Sequence, residues 1–254
     1  MNIAVMVKVL PDDQDIATTA DGKLDFSKAK PTISTYDLNA IEAAAQLAAD
    51  TGSHVTAVTV GPAYVSDTKT RKNILSRGID DLHVVADDAF EMADAHVTGK
   101  ALAGAVEAIG GIDLVVCGDG SADLYAQQVD VQTAAALGWP VMNGVVAVRA
   151  EGGAVVVDRV LENEKETVRL PLPAVVSVSP DIAQPRIAGM KDILAAGKKP
   201  VDQMTADQVG GVAPATVETL EVRAPEPTAR KKEIYDASQD GDIDKFVAAL
   251  KSVL

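Results

Sequence analysis

A loop rich in glycine and hydrogen-bond donors is the part of this chain best suited to binding chemistry. It follows a short apolar run, Leu114–Cys117, and its residues 118 to 123 read GDGSAD, with Gln127 and Gln128 shortly after. Glycines let a backbone approach a ligand closely, and the free N–H groups of a following helix favour phosphate. The pattern predicts a phosphate-binding loop, although an ordinary connection between a strand and a helix has the same composition.

The two aspartates of this loop need a different role, because an ionised carboxylate cannot donate to phosphate. We expect Asp119 and Asp123 to accept hydrogen bonds from a ribose hydroxyl or from backbone amides, or to cap the following helix. Ser121, Gln127 and Gln128 can donate hydrogen bonds. The loop therefore combines space, donors and acceptors without a reactive group.

Residues that would support hydrolysis or metal binding are scattered along the chain. His54, His83 and His96 form no metal-ligand spacing with one another or with the single cysteine. No serine–histidine–aspartate set and no pair of carboxylates stands out. The sequence thus predicts neither a catalytic residue nor a metal site, and it favours a carrier or binding protein over a hydrolase.

Composition limits the fold and the kinds of partner. Hydrophobic residues make up 47% of the 254 residues but aromatic residues only 3%, so Ala, Val, Leu and Ile must build the core. Such a core is typical of buried parallel strands covered by helices. The net charge of −14 argues against binding to nucleic acid or to an anionic membrane surface. A basic protein partner remains compatible with this charge.

The single cysteine and the hydropathy indicate the compartment. Cys117 ends an apolar run, so we expect it to be buried, and it has no partner for an intrachain disulfide. No apolar run reaches the roughly 18 residues of a membrane span, and the N-terminus lacks the charged region of a signal peptide. We expect a soluble, cytoplasmic protein.

Strand and helix patterns alternate along the first part of the chain. Asp37 is predicted to cap the first helix. The predicted strands are Ile3–Val9, His54–Val60, Asp81–Val85 and Leu114–Cys117, and the predicted helices are Leu38–Asp50, Asp67–Arg77, Ala93–Ile109 and Gln127–Leu137. This order predicts an α/β fold, Rossmann-like, with a parallel sheet covered by helices on both faces.

The second half of the chain changes in character. Strands on either side of Glu151-Gly152-Gly153 predict a β-hairpin, and an apolar strand follows at residues 172 to 178. Residues 185 to 200 read as irregular. We expect one domain over residues 1–210 and an extended, proline-containing arm over 211–254 that ends in a helix from Ile243 to Leu254. That helix is amphipathic, so we expect a partner chain to cover its apolar side.

Several segments in order resemble one protein family. They read VMVKVLPD, ISTYDLNAIEAAAQL, VTVGPA, CGDGSADLYAQQVD with LGWP, LPLPAVVSV, and QPRIAGMKDILAAGKKP. Together they resemble the beta subunit of electron transfer flavoproteins, and DLNAIEAA, SRG and GDGSADLYAQQV resemble the Fix-type members. The resemblance implies an electron-carrier subunit rather than an enzyme by itself. It also implies a heterodimer with a larger alpha subunit that holds the redox FAD, and the arm would wrap that subunit.

The resemblance also implies where a nucleotide binds. The implied contacts come from the end of the first strand, the segment before the first helix, the end of the second strand, and the glycine-rich loop. They are Met6, Lys8, Ser34, Thr35, Tyr36, Asp37, Val60, Gly118, Asp119, Gly120, Ser121, Ala122, Asp123, Tyr125, Gln127, Gln128 and Val129.

The nucleotide itself is either FAD, which would allow electron bifurcation, or a structural AMP. Many bifurcating relatives read Asp-Gly-Asp-Thr where this chain has Ala122-Asp123-Leu124-Tyr125, and a bulky Tyr125 could stack on a ring or close the pocket. The Fix-type resemblance favours FAD, and AMP stays open.

The resemblance finally implies a recognition loop at residues 185–199. Met190 falls at the position of the apolar residue that contacts the redox partner, with Ile187 and Ile193 beside it. The implied partners are acyl-CoA dehydrogenase-like proteins or other flavin or iron–sulfur proteins. A different class of protein, a stand-alone adenine-nucleotide-binding signalling module, would explain the glycine-rich loop but not the arm or residues 185–199.

Overall fold

The continuous apolar runs of the sequence become the buried strands of a nine-stranded sheet. The computed structural model describes residues 1–226 and 228–253; Pro227 and Leu254, which belong to the predicted arm, lie outside the described residues. The strands are β1 (Asn2–Met6), β2 (Val9–Pro11), β3 (Ala17–Thr18), β4 (Leu24–Asp25), β5 (Pro31–Ile33), β6 (His54–Gly61), β7 (Asp81–Ala86), β8 (Leu114–Gly118), β9 (Val141–Glu151), β10 (Ala154–Val160), β11 (Lys165–Pro171), β12 (Ala174–Val178) and β13 (Val201–Met204). The helices are α1 (Thr35–Thr51), α2 (Thr68–Leu75), α3 (Ala95–Ile109), α4 (Val129–Leu137), α5 (Met190–Ala196) and α6 (Asp242–Lys251).

The sheet has the order β11-β10-β9-β12-β8-β1-β6-β7-β13. Parallel pairing joins the strands from β9 to β13 in this order, namely β9, β12, β8, β1, β6, β7 and β13. Strand β10 pairs antiparallel with both β9 and β11. The predicted α/β fold and the predicted hairpin through Gly152 and Gly153 are confirmed. After β1 the chain adds β6 and β7 on one side, and then α3 returns it to β8 on the other side. The carboxyl ends of β1 and β8 therefore border the kind of crevice in which ligands bind in open α/β sheets.

Alternation along the strands directs side chains to two helical layers. Val5 belongs to the same buried cluster as Ile41 of α1. Its neighbour Met6 belongs to a second buried cluster with Leu102 of α3. Helices thus cover both faces of the sheet, as predicted, and their packing fixes the positions of the residues that follow β1 and β8.

The prediction that the first strand extends from Ile3 to Val9 is wrong about where the strand ends. β1 ends at Met6, after which the Val7 N–H still donates to Val58 O over 2.9 Å. Val9 pairs instead with Ile33 in a separate two-stranded sheet. The chain leaves the main sheet at Lys8, because the Lys8 N–H bonds to a side chain rather than to a neighbouring strand.

The four helices predicted in the first part of the chain begin one to three residues away from their predicted starts, and α1 and α4 differ for identifiable reasons. Helix α1 starts at Thr35 with Ser34 at the N-cap position, so the prediction that Asp37 caps this helix is wrong. Helix α4 starts at Val129 rather than at Gln127, because Gln127 adopts a φ of 54°, which a right-handed helix excludes.

The segment predicted to be irregular, residues 185 to 200, contains α5, so that prediction is wrong for residues 190 to 196. The Asp192 carboxylate accepts a hydrogen bond from the Gly189 N–H over 3.1 Å at the start of this helix. Such a contact satisfies one of the backbone donors that a helix start leaves free.

The chain forms two compact units. The first comprises Met1–Ala17 and Asp25–Glu221, and the second comprises Thr18–Leu24 with the described residues from 222 onward. Within the second unit, Arg223 donates to Asp21 O over 2.8 Å, and the Tyr235 ring meets the edge of Phe246 at 5.7 Å. The apolar side chains of α6 are exposed. Among the described residues, no helix combines the length and hydropathy that crossing a membrane requires.

Candidate functional site

A cleft lies at the carboxyl ends of β1 and β8, with a cavity volume of about 110 Å³. It belongs to the first unit. The predicted residues that line it are Met6, Lys8, Asp37, Val60, Gly118, Asp119, Gly120, Ser121, Gln127, Gln128 and Val129. The fold thus brings residues from four separated segments of the chain to one place.

Asp37 joins the two strand ends that form the floor of the cleft. Its carboxylate accepts hydrogen bonds from the Lys8 N–H over 2.7 Å and from the Gly118 N–H over 3.2 Å. Burial raises the pKa of Asp37 to about 7, although these two backbone hydrogen bonds and the charge of Lys8 act in the opposite direction. Asp37 is therefore a structural link between β1 and β8 at the site.

Lys8 and the loop after β8 are joined by an ion pair. Lys8 Nζ lies 2.6 Å from Asp123 Oδ2, and Asp123 Oδ1 accepts from Ser121 Oγ over 2.5 Å and from the Leu124 N–H over 2.8 Å. Burial acts to raise the pKa of Asp123, but the hydrogen bonds from Lys8 and Ser121 outweigh it and lower the pKa. The expectation that this aspartate accepts from a backbone amide is confirmed, and the alternative that it caps the next helix is wrong.

Tyr125 packs against both the loop and the first helix. Its ring centroid lies 4.9 Å from that of Tyr36, and its hydroxyl donates to Asp119 Oδ2 over 3.1 Å. A Cβ atom on Gly120 would lie 2.2 Å from Tyr125 Cδ2, so the ring rests directly against this glycine. Tyr125 also has a φ of 46°, an uncommon value for a bulky residue. The loop conformation depends on this packing.

Asp119 carries a polar atom without a partner. Burial raises the pKa of its carboxyl group. Oδ1 is buried and makes no hydrogen bond to any described residue. Buried polar atoms are normally satisfied, so an unpaired one in a cleft indicates a missing donor. A ribose hydroxyl is a donor of the predicted kind.

The first turns of two helices border the cleft. Gln128 occupies the N-cap position of α4 without a side-chain capping bond, so its side chain leaves the first N–H groups of this helix free for a ligand. Asp94 caps α3 by accepting from the Val97 N–H over 2.8 Å. The start of α4 therefore favours an anion, because its N–H groups and dipole are positive, whereas the Asp94 carboxylate already takes that place at the start of α3.

The other end of the cleft is apolar. Met6, Leu102 and Cys117 are buried there, with Val60 half-buried beside them. Cys117 is buried, as predicted, and burial raises the pKa of its thiol well above the usual range. This end suits a flat apolar ring rather than a charged group.

Several cleft residues were missed by the sequence analysis, and several predicted ones lie outside the cleft. Those missed are Val7, Ala93, Asp94, Ala95, Thr98, Leu102, Cys117, Leu124, Ala126 and Asp130. The Asp94 capping signal before an alanine-rich helix could have indicated the first turn of α3. The predicted residues that do not line the cleft are Ser34, Thr35, Tyr36, Ala122, Asp123 and Tyr125. Of these, Ser34 Oγ accepts from the Ala122 N–H over 3.3 Å and so helps to hold the loop in place.

A second surface presents the residues predicted to dock a redox partner. Ile187, Met190 and Ile193 are exposed by 96%, 74% and 41%. The chain is fixed just before them, because Arg186 Nε lies 2.6 Å from Glu42 Oε2 and Arg77 donates to Arg186 O over 2.7 Å. The structure therefore displays an apolar face on a fixed base.

The cleft fits an adenine nucleotide in its chemistry. It offers an apolar end, an unpaired carboxylate oxygen on Asp119, and a loop with helix N–H groups and side-chain donors. The chemistry of these three parts matches a ring, a ribose and a phosphate. FAD and AMP share these parts, so this match does not favour either one.

The chain matches the model of a known protein family. The model of the electron transfer flavoprotein domain matches residues 22–209. The matched range includes the loop after β8, the starts of α3 and α4, and the exposed face at residues 187 to 193. Residues 6 to 8 at the end of β1 precede it.

Proposed function

Because the chain belongs to the electron transfer flavoprotein family, we propose that it is the beta subunit of a heterodimeric, cytoplasmic electron transfer flavoprotein, of the Fix-type. The observation that carries the proposal is the donor-rich loop and helix start at the carboxyl ends of β1 and β8. The cleft binds the adenine-nucleotide part of FAD, and the alpha subunit binds the redox FAD. The chain thereby takes part in electron bifurcation.

The residues of this chain bind and orient the nucleotide. Met6 and Val60 contact the adenine, Asp119 accepts from the ribose, and the loop from Gly118 to Ser121 approaches the phosphates together with Gln128. A bound FAD supplies a ring system that accepts and donates electrons. The chain's own task is to hold the nucleotide in one position.

A structural AMP is the second candidate, and one observation favours it. The Tyr125 ring covers Gly120, which narrows the approach to the loop. A smaller ligand needs less of that space. With AMP the chain belongs to a simple one-flavin carrier, without bifurcation.

The first experiment counts nucleotides in the heterodimer. The chain is co-expressed with an alpha subunit of the same organism, and the nucleotides released on denaturation are quantified by chromatography. We expect two FAD per heterodimer, whereas one FAD with one AMP would support the second candidate. A chain that stays monomeric beside its alpha subunit and binds ATP without a partner would overturn the proposal in favour of a signalling module.

The exposed face formed by Ile187, Met190 and Ile193 binds the redox partner, an acyl-CoA dehydrogenase-like protein or another flavin or iron–sulfur protein. Replacing both Ile187 and Met190 with serine is expected to raise the KM for an acyl-CoA dehydrogenase of the same organism roughly tenfold, because buried apolar contacts dominate such interfaces. The FAD content should not change.

The matched control is Val160→Ser, which alters a residue that is 61% exposed elsewhere. Steady-state electron transfer, with the dehydrogenase concentration varied, gives both kinetic constants. An unchanged KM in the double variant, or an equal rise in Val160→Ser, would contradict docking at this face.

A further inference from the structure

Three polar side chains connect the cleft with a groove between α3 and α4. His96 Nδ1 lies 3.2 Å from Gln132 Oε1, and Gln132 Nε2 donates to Gln128 Oε1 over 3.1 Å. Gln128 lines the cleft, whereas His96 and Gln132 line the groove. This series of hydrogen bonds therefore begins in the groove, outside the nucleotide site, and ends in the cleft.

Each hydrogen bond in this series has a defined donor and a defined acceptor. An amide oxygen can only accept, so His96 Nδ1 carries the proton and donates to Gln132. The NH₂ group of Gln132 then donates to the oxygen of Gln128. Because that oxygen is occupied, the end of the Gln128 amide that remains for a ligand is its NH₂ group, a donor.

We propose that His96 and Gln132 are positioning residues, which turn the NH₂ group of Gln128 toward a phosphate in the cleft. This inference rests on the proposed function, since it concerns how the same cleft recognises its nucleotide. The Gln128 side chain takes no part in capping α4, so nothing in that helix start fixes its amide. An amide that turned its oxygen to the cleft would repel a phosphate, because both groups only accept.

Gln132→Glu tests the direction of the contacts. A carboxylate at this position still accepts from His96 but can only accept from Gln128, whose NH₂ group must then turn away from the cleft. We expect the full-length chain to lose about tenfold in affinity for AMP, the usual scale for one charge-assisted hydrogen bond. Affinity for adenosine should stay within about twofold, because adenosine has no phosphate for the amide to contact. Isothermal titration with AMP and with adenosine measures both.

The matched control is Ala136→Glu, which places the same charge one turn further along α4, on an exposed residue of the same groove. We expect it to weaken AMP binding by less than about threefold, since a solvent-exposed charge is screened. Gln132→Met removes the contacts without adding charge, and it replaces Gln132→Glu in the test if that variant does not fold. It should lower the affinity for AMP by about threefold and leave the affinity for adenosine unchanged.

Two results would overturn the inference while leaving the proposed function standing. One is an equal loss of AMP affinity in Gln132→Glu and Ala136→Glu. The other is an equal loss of AMP and adenosine affinity in the Gln132 variants, which indicates a general distortion of the cleft. A wild-type chain that binds neither AMP nor FAD, alone or with its alpha subunit, would overturn the proposed function and this inference with it.

Discussion

Replacing Asp37 with asparagine is expected to abolish most of the fall in stability that the wild-type chain undergoes between about pH 4 and pH 7. The pKa of Asp37 rises from 3.8 to about 7 on folding because the group is buried. The folded chain thus holds a proton that the unfolded chain releases near pH 4. The stabilisation is complete below the unfolded pKa and is lost as the pH rises through the folded pKa, a change on the order of 4 kcal/mol.

Urea unfolding at pH 5 and pH 8 checks this expectation. The free energy of unfolding of the wild type should fall by about 3 kcal/mol more than that of Asp37→Asn over this interval. Asp158→Asn is the control: the hydrogen bond from Arg149 lowers the pKa of Asp158, so its stabilisation is lost only as the pH falls below this range. Equal pH dependence in the wild type and in Asp37→Asn would show that Asp37 is ionised throughout.

The role of Asp37 also shows what a sequence can predict of this site. An aspartate just before a helical repeat indicates an N-cap, which is a local feature. The actual partners, the N–H groups of Lys8 and Gly118, lie 29 and 81 residues away, and only the parallel packing of β1 beside β8 brings them together. The carboxylate lines the cleft, but its contacts depend on tertiary structure.

Regular elements with strong patterns were predictable. β6, β7 and β8 follow from continuous apolar runs, because central parallel strands are buried on both faces. α5 was missed because it has only seven residues and most of them are exposed, so no periodic apolar face marks it. The lining residues at the start of α3 were missed because only tertiary packing brings the first turn of this helix to the cleft.

The loop after β8 was also predictable only in part. Its glycines and donors indicated a ligand, and the structure places Gly118, Gly120 and Ser121 along the cleft. The position of Tyr125, which takes an uncommon backbone conformation, depends on its packing against Tyr36 of α1 as well as on the loop's own residues. The space beside Gly120 depends on this tyrosine, so it could not be predicted from composition alone.

Adding a methyl group to Gly118 is expected to abolish most nucleotide binding while leaving a folded chain. A Cβ atom there would lie 2.8 Å from the Tyr36 carbonyl carbon and 2.8 Å from Asp37 Oδ1. A backbone atom cannot rotate away, so either the end of β8 or the start of α1 must shift. The shift separates the Gly118 N–H from Asp37. We expect a loss of about 1–3 kcal/mol in stability and at least about tenfold in AMP affinity.

Gly189→Ala is the matched control. The nearest atom to a Cβ there is Asp192 Oδ2 at 3.3 Å, the end of a side chain that can move, and neither glycine has a left-handed φ. Isothermal titration with AMP and urea unfolding give both quantities for the two variants. If Gly118→Ala bound AMP as tightly as Gly189→Ala, the close approach of β8 to α1 would not shape the site. Loss of binding in Gly118→Ala alone, with the fold retained, would identify this approach as the feature that aligns the floor of the cleft with its phosphate-binding loop.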